Sequence, residues 1–243
     1  MSYQKARRLL KRVWTLNVPR KIPKIVRMVD HDPSAFTQGL AYHDGQLYES
    51  TGLTNSSSLR KLSVETGEIE KIRPMPEHWA EGIAYKNGEI VQLTWTSMKA
   101  FVFGADKFDA LRSYELDGEG WGLTSSDTGF ISTDGSERLI FRDDAFTVTG
   151  TLEVKINGFA LKWLNDLVFA QGTVFINRLG DASIYQVSLL TGSVISIIDC
   201  SILLDKVSPL GPEDVLNGIA YIADREEFVV TGKRWDKLFF LRF

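Results

Sequence analysis

A carboxylate (Glu81), a lysine (Lys233), three carboxamides (Gln38, Asn165, Asn217) and two indoles (Trp95, Trp121) stand at positions that one repeating register brings to a common level. Brought together, they would make a polar pocket with apolar walls, suited to a ligand held by several hydrogen bonds at once. Leu179, at the place equivalent to Trp95, adds apolar surface to the same wall. Each residue also has a plainer reading. The indoles could be packing residues, Glu81 and Lys233 an ion pair, and Asn217 a turn former within a structural polar network.

The register comes from five copies of one pattern: Gln38-Gly39-Leu40, Glu81-Gly82-Ile83, Trp121-Gly122-Leu123, Asn165-Asp166-Leu167 and Asn217-Gly218-Ile219. The middle position falls at 39, 82, 122, 166 and 218, a period near forty residues, which belongs to β-propeller blades. Turn pairs follow at a fixed offset, at Asp44-Gly45, Asn87-Gly88 and Gln171-Gly172. Each reads as the tip of a hairpin. The second strands end at equivalent residues Gly52, Trp95, Gly135 and Leu179, with Lys233 in the fifth copy after a two-residue insertion. Weaker strands at 59–64, 100–103, 139–142 and 184–187 read as the outer half of each four-stranded blade. The register therefore predicts an all-β, five-bladed propeller over residues 24–243, with equivalent residues converging on the axial funnel. The strand at 237–243 lacks a hairpin partner of its own. It is predicted to pair with 24–29 and close the ring, leaving no open sheet edge.

Composition agrees with one large all-β domain: 243 residues, 44% hydrophobic. No apolar run approaches the roughly 18 residues that span a bilayer. Cys200 is the lone cysteine, which excludes an internal disulfide, and is predicted to be a small buried strand residue. With three histidines in the chain, little remains for a catalytic zinc site.

Nine of the 28 Lys and Arg residues lie within the first 27 positions, and no acid precedes Asp30. Tyr3, Ala6, Leu9, Leu10, Val13 and Trp14 fall at helical spacing among these cations. Residues 1–23 are accordingly set apart as a basic extension. A solvated arm or a docked helix is preferred to an anionic membrane surface contact through residues 1–20 or a targeting segment. The segment lacks the apolar stretch of a secretory signal, so a cytoplasmic protein is expected. Past the arm the chain is strongly acidic and would repel a phosphate backbone, so no nucleic-acid partner is expected. A monomer is expected as well.

Eight ordered strings spanning about residues 31–241 narrow the reading: Phe36-Thr-Gln-Gly-Leu40, Tyr48-Glu-Ser-Thr-Gly52, Glu81-Gly-Ile83, Gln92-Leu-Thr-Trp95, Glu119-Gly-Trp-Gly-Leu-Thr124, Ser132-Thr-Asp-Gly-Ser136, Leu216-Asn-Gly-Ile-Ala220 and Thr231-Gly-Lys-Arg-Trp235. The series resembles that of the plant and bacterial glutaminyl-peptide cyclotransferases, a five-bladed propeller family. The resemblance implies conversion of an N-terminal glutamine of a peptide or protein to pyroglutamate, with release of ammonia. It implies Glu81 as the acid that moves the proton, Lys233 and Asn165 as the groups that polarise the carboxamide, and Gln38 as a contact to the substrate backbone. It implies no metal, although a structural calcium near the axis is compatible with the sequence. Members of that family are often secreted or periplasmic, against the cytoplasmic expectation.

The chain departs from the family pattern at two places. It reads Asn165-Asp-Leu-Val168 where the family has Asn-Glu-Leu-Glu, and Ile176-Asn-Arg-Leu179 where the family has Ala-Asn-Val-Trp. Leu179 thus lacks the flat face and edge donor of an indole, and Arg178 adds a charge that could favour an acidic peptide. These departures support an alternative, a propeller without turnover that serves as a peptide-binding or interaction module. A second rival is a calcium-dependent lactonase or hydrolase of the six-bladed type, using oxygen ligands from Glu81, Asn165, Asp166 and Asn217. Five repeats and a lysine in the funnel count against it.

Overall fold

The computed structural model describes residues 17–209 and 211–243, so the amphipathic arm read over the first sixteen residues lies outside the described residues. At the hairpin tips, Asp44-Gly45, Asn87-Gly88 and Gln171-Gly172 all have left-handed backbone at both positions. That is the turn whose twist matches the strands it joins.

Five blade sheets result, beside a two-stranded ribbon of Lys155–Ile156 and Phe159–Ala160, and the innermost blade strands touch in a ring. Blade one comprises Thr37–His43, Gln46–Thr51, Ser58–Ser63 and Ile69–Pro74, and blade two Ala80–Lys86, Glu89–Thr94, Lys99–Gly104 and Ala110–Glu115. Blade three comprises Leu123–Ser126, Gly129–Ser132, Arg138–Arg142 and Val148–Glu153, and blade four Leu164–Ala170, Thr173–Arg178, Ser183–Val187 and Val194–Asp199. In blade five, Leu216–Ile222, Glu227–Gly232 and Lys237–Arg242 are completed on the outside by Lys24–Asp30. Ring closure by the two ends of the propeller is therefore as the register predicts: Met28 sits opposite Phe239 and Asp30 opposite Lys237. Arg20–Lys21, on the extension side of the boundary expected at residue 23, adds a short parallel strand to blade four opposite Ile197 and Ile198.

Between each pair of neighbouring blades lies one apolar cluster, from Tyr48, Ile83 and Phe103 between blades one and two to Phe175, Phe228 and Phe239 between blades four and five. Burying one such side chain contributes about 1.5–3 kcal/mol, so the blades hold each other face to face. Cys200 is buried in the last of these clusters, but as the first residue of a 3-10 helix, Cys200–Lys206, rather than in a strand. The preceding Asp199 caps that helix by accepting from the Ser201 amide, which is why the strand stops there.

Where the inner strands begin, they break register with their hairpin partners. The slips fall between Thr37 and Gly39, Ala80 and Ile83, Leu164 and Leu167, and Leu216 and Ile219. A bulge of this kind bends the strand and re-aims the extra side chain. Gln38, Glu81, Asn165 and Asn217 are the residues so re-aimed. Neighbouring inner strands come very close at this level. A Cβ at Gly122 would stand 2.1 Å from the Asn165 carbonyl oxygen, which explains the small residue in that column. The exception is Asp166, whose buried carboxylate accepts from the amides of Ile219 (2.8 Å) and Leu40 (3.3 Å) and so ties blades one, four and five at the axis.

Candidate active site

A cavity of about 490 Å³ opens at the bulged ends of the inner strands. Gln38, Glu81, Trp95, Trp121, Asn165, Leu179 and Lys233, seven of the eight residues singled out in the sequence, line it. The eighth, Asn217, is fully buried one layer deeper and does not reach the lining. Its side-chain amide donates to the carbonyls of Thr37 (3.0 Å) and Gln38 (3.2 Å) and to Gln38 Oε1 (3.2 Å), while its oxygen accepts from Asn177 Nδ2 (2.9 Å). Gln38 Nε2 in turn donates to Glu81 Oε1 at 2.7 Å. Three carboxamides thus form a directed relay, Asn177 to Asn217 to Gln38, ending on the Glu81 carboxylate. With its oxygen committed to Asn217, Gln38 must present its NH₂ to Glu81.

The walls come from a second set of equivalent residues that the register, shifted back by two, would have exposed. Gly52, Trp95, Leu179 and Lys233 each donate a backbone N–H to the carbonyl of Phe36, Trp79, Trp163 and Val215 respectively, at 2.8–3.0 Å. Phe36, Trp79 and Val215 line the cavity. The rings of Trp79 and Trp95 meet edge to face at 5.2 Å, and Phe36 meets Trp79 perpendicularly at 6.2 Å. Blade three supplies Trp121, whose indole lies against Gly135. A Cβ there would meet the ring at 2.7 Å, and Gly135 has φ +78, so both space and backbone require glycine. Trp121 is fixed further by its Nε1 donating to Glu119 Oε2 at 3.0 Å.

Burial pushes the Glu81 carboxyl well above the usual carboxylate range; Lys233 and the Trp79 indole N–H oppose this, and Glu119 and Asp166 push the same way as burial. Burial pushes Lys233 below its ordinary value, with Glu81 opposing. Among the described residues the Lys233 ammonium forms no direct ion pair. It lies over the Phe36 ring, 4.7 Å from the centroid, with the Arg234 guanidinium also over that ring at 4.9 Å. The Nε1 of Trp95 and the Oδ1 of Asn165 are buried without hydrogen-bond partners, whereas the Trp79 indole N–H lies toward the Glu81 carboxyl. Buried polar atoms are nearly always paired, so a donor and an acceptor in one cavity mark places that a ligand's own groups would fill. Arg178 is engaged elsewhere: its Nε donates to the Lys162 carbonyl at 2.9 Å and Nη1 faces Asp181 at 4.0 Å. No group of three or more His, Cys, Asp or Glu side chains among the described residues is placed to hold a metal ion.

Comparison with known proteins matches this geometry to a family. The family model described as Glutamine cyclotransferase matches residues 4–243. A glutaminyl-peptide cyclotransferase of Arabidopsis thaliana is 32% identical over 222 residues, which span 89% of this chain and 69% of the relative. The crystal structure of Myxococcus xanthus glutaminyl cyclase is similar with a TM-score of 0.88 and 33% identity, over 93% of this chain and 98% of that one. A streptogramin B lyase structure, at TM-score 0.54 and 10% identity, shares the fold alone. With a family match over nearly the whole chain and relatives above 30% identity, the protein belongs to the glutamine cyclotransferase family.

Proposed function

We propose that the protein converts the N-terminal glutamine of peptides or proteins to pyroglutamate with release of ammonia, by intramolecular aminolysis of the acyltransferase class. The observation that carries this reading is a buried acid and a buried ammonium facing one cavity without pairing, beside polar atoms that lack partners. A module that only binds has no use for such an arrangement, since a buried charge left unpaired is costly.

The free α-amine attacks the side-chain carboxamide carbon of the same residue, which closes the five-membered ring. Glu81 takes the proton from the attacking nitrogen. Lys233 and Asn165 hold the oxygen as it gains charge. When the tetrahedral centre collapses, the carbon–nitrogen bond to the former amide breaks and Glu81 returns its proton to that nitrogen, so ammonia leaves and the lactam remains. The raised proton affinity of Glu81 suits this double duty, because a shuttle works best when its pKa lies near the working pH. Gln38, held by Asn217, keeps the carboxylate in one rotamer. The indole N–H of Trp95 is a free donor for a substrate carbonyl, and the aromatic walls exclude water from the folded conformer. Each step is carried by these side chains; we propose a monomer needing no cofactor.

Mass spectrometry of a short Gln-initiated peptide incubated with the protein tests the proposal. Ammonia loss with the wild type but not with Glu81→Gln is the expected result. Equal loss in both, at the spontaneous rate, would leave binding as the function.

A further inference from the structure

We infer that Trp163 is a specificity-determining residue that receives the side chain of the residue following the N-terminal glutamine, favouring an aromatic or large apolar one. This rests on the cyclotransferase reading. The glutamine is consumed inside the cavity, so the remainder of the peptide has to leave through the mouth, and the mouth between blades three and four is where Trp163 stands.

Three observations converge on it. Trp163 occupies the fourth member of a column whose other members, Phe36, Trp79 and Val215, line the cavity, and it makes the same backbone bond, accepting from the Leu179 amide at 2.9 Å. It is the one member with left-handed backbone, φ +66, a conformation that a bulky residue adopts at a cost of order 1 kcal/mol or more. That twist sets the indole beside the wall residue Trp121, with ring centroids 6.3 Å apart and planes tilted by 39°. Finally, Trp163 remains 52% exposed and its backbone partner Leu179 37%, so an apolar strip runs outward from the cavity. Trp121, Leu179 and Trp163 form a wall that is continuous with the site and bare on its outer side.

The test compares Gln-Phe-Ala-amide with Gln-Gly-Ala-amide by ammonia release, using wild type, Trp163→Asn and Trp163→Phe. Asparagine tolerates left-handed backbone, so this variant keeps the fold, which thermal unfolding verifies. We expect wild type to favour the Phe peptide in kcat/KM, Trp163→Asn to reduce that preference about five- to tenfold, the range an aromatic pair supplies, and Trp163→Phe to keep most of it. An unchanged preference in Trp163→Asn overturns the inference. If the wild type turns over neither peptide, the cyclotransferase reading fails first. Titration of both peptides against Glu81→Gln and the Glu81→Gln, Trp163→Asn double variant then decides the Trp163 role alone: loss of selective binding supports it, equal selectivity overturns it.

Discussion

Two glutamates in adjacent blades are buried almost equally, yet they are treated in opposite ways. Glu49 is fully buried and Glu81 is 7% exposed. Glu49 accepts from Thr37 Oγ1 at 2.7 Å and His31 Nε2 at 2.9 Å, with Arg60 at 3.6 Å and Arg60 in turn bound to Asp32 at 2.9 Å. His31 Nδ1 faces the Trp235 carbonyl at 2.8 Å, so both ring nitrogens meet acceptors and the imidazole is held as a cation. Burial alone would raise Glu49 and lower His31; their pairing, aided by Arg60 and Thr37 for Glu49 and by the Trp235 carbonyl for His31, reverses both. Glu81 receives the Gln38 amide and the Trp79 indole N–H but no direct ion pair, and its proton affinity rises. A carboxylate paired directly with two cations braces the fold, whereas one without a direct ion pair is kept ready to take a proton.

The contrast can be broken at each end. The largest effect expected is on turnover: Glu81→Gln should lower kcat by about 10²–10⁴-fold, read from ammonia release, and a loss under tenfold would remove Glu81 from the proton transfer. Next in size, Glu49→Ala should destabilise the fold by roughly 3–5 kcal/mol, because it leaves the buried His31 without its carboxylate and takes one of two from Arg60; urea unfolding measures this. An intact stability would mean that the network is ornamental.

The pH dependences should have opposite signs. Glu81 binds its proton more tightly when folded, so its penalty is absent below its ordinary value of 4.5 and grows as pH rises above it. Glu81→Gln should therefore gain stability relative to wild type as pH rises above 4.5, with the gain fading below that value. The stability from Glu49 is present above 4.5 and lost as pH falls through its lowered folded value. That from His31 is present below 6.5 and lost as pH rises through its raised folded value. The smallest effect concerns the relay. Asn217→Ser should cost about tenfold in kcat with KM little changed, since Gln38 loses its anchor while the cavity walls stay in place. A change in KM alone would place Asn217 in substrate contact after all.

How much of this was legible follows from where the information sits in the chain. The five blades and the closing strand were readable because inner strands repeat apolar, small and turn residues in register. The fourth strands were not, since segments such as Ile69–Pro74 alternate exposed and half-buried residues and leave little pattern. The register located the level of the site but not the reach of each side chain. Asn217 keeps step with Glu81, yet the carbonyls of Thr37 and Gln38 draw its amide downward. Phe36 and Trp79 stand two residues before the polar column, where apolar residues also serve ordinary packing, so their types alone do not mark them as cavity walls. The His31–Glu49 pairing, with its contact from His31 to Trp235 across 204 positions, had no local signal at all.

The pairing of Lys24–Asp30 with Lys237–Arg242 also dictates an order of events during synthesis. Blades one to four can each assemble from contiguous chain as it emerges from the ribosome, but blade five waits. Its outer strand is made before any blade and its partner after all of them, so the first strand remains unpaired until residues 237–242 arrive. Contacts of such long separation are slow to form. Maturation of the active site is thereby tied to the last step, because Lys233 belongs to the hairpin that this final pairing locks. A chain ending before residue 233 would lack Lys233 and the pairing that locks its hairpin.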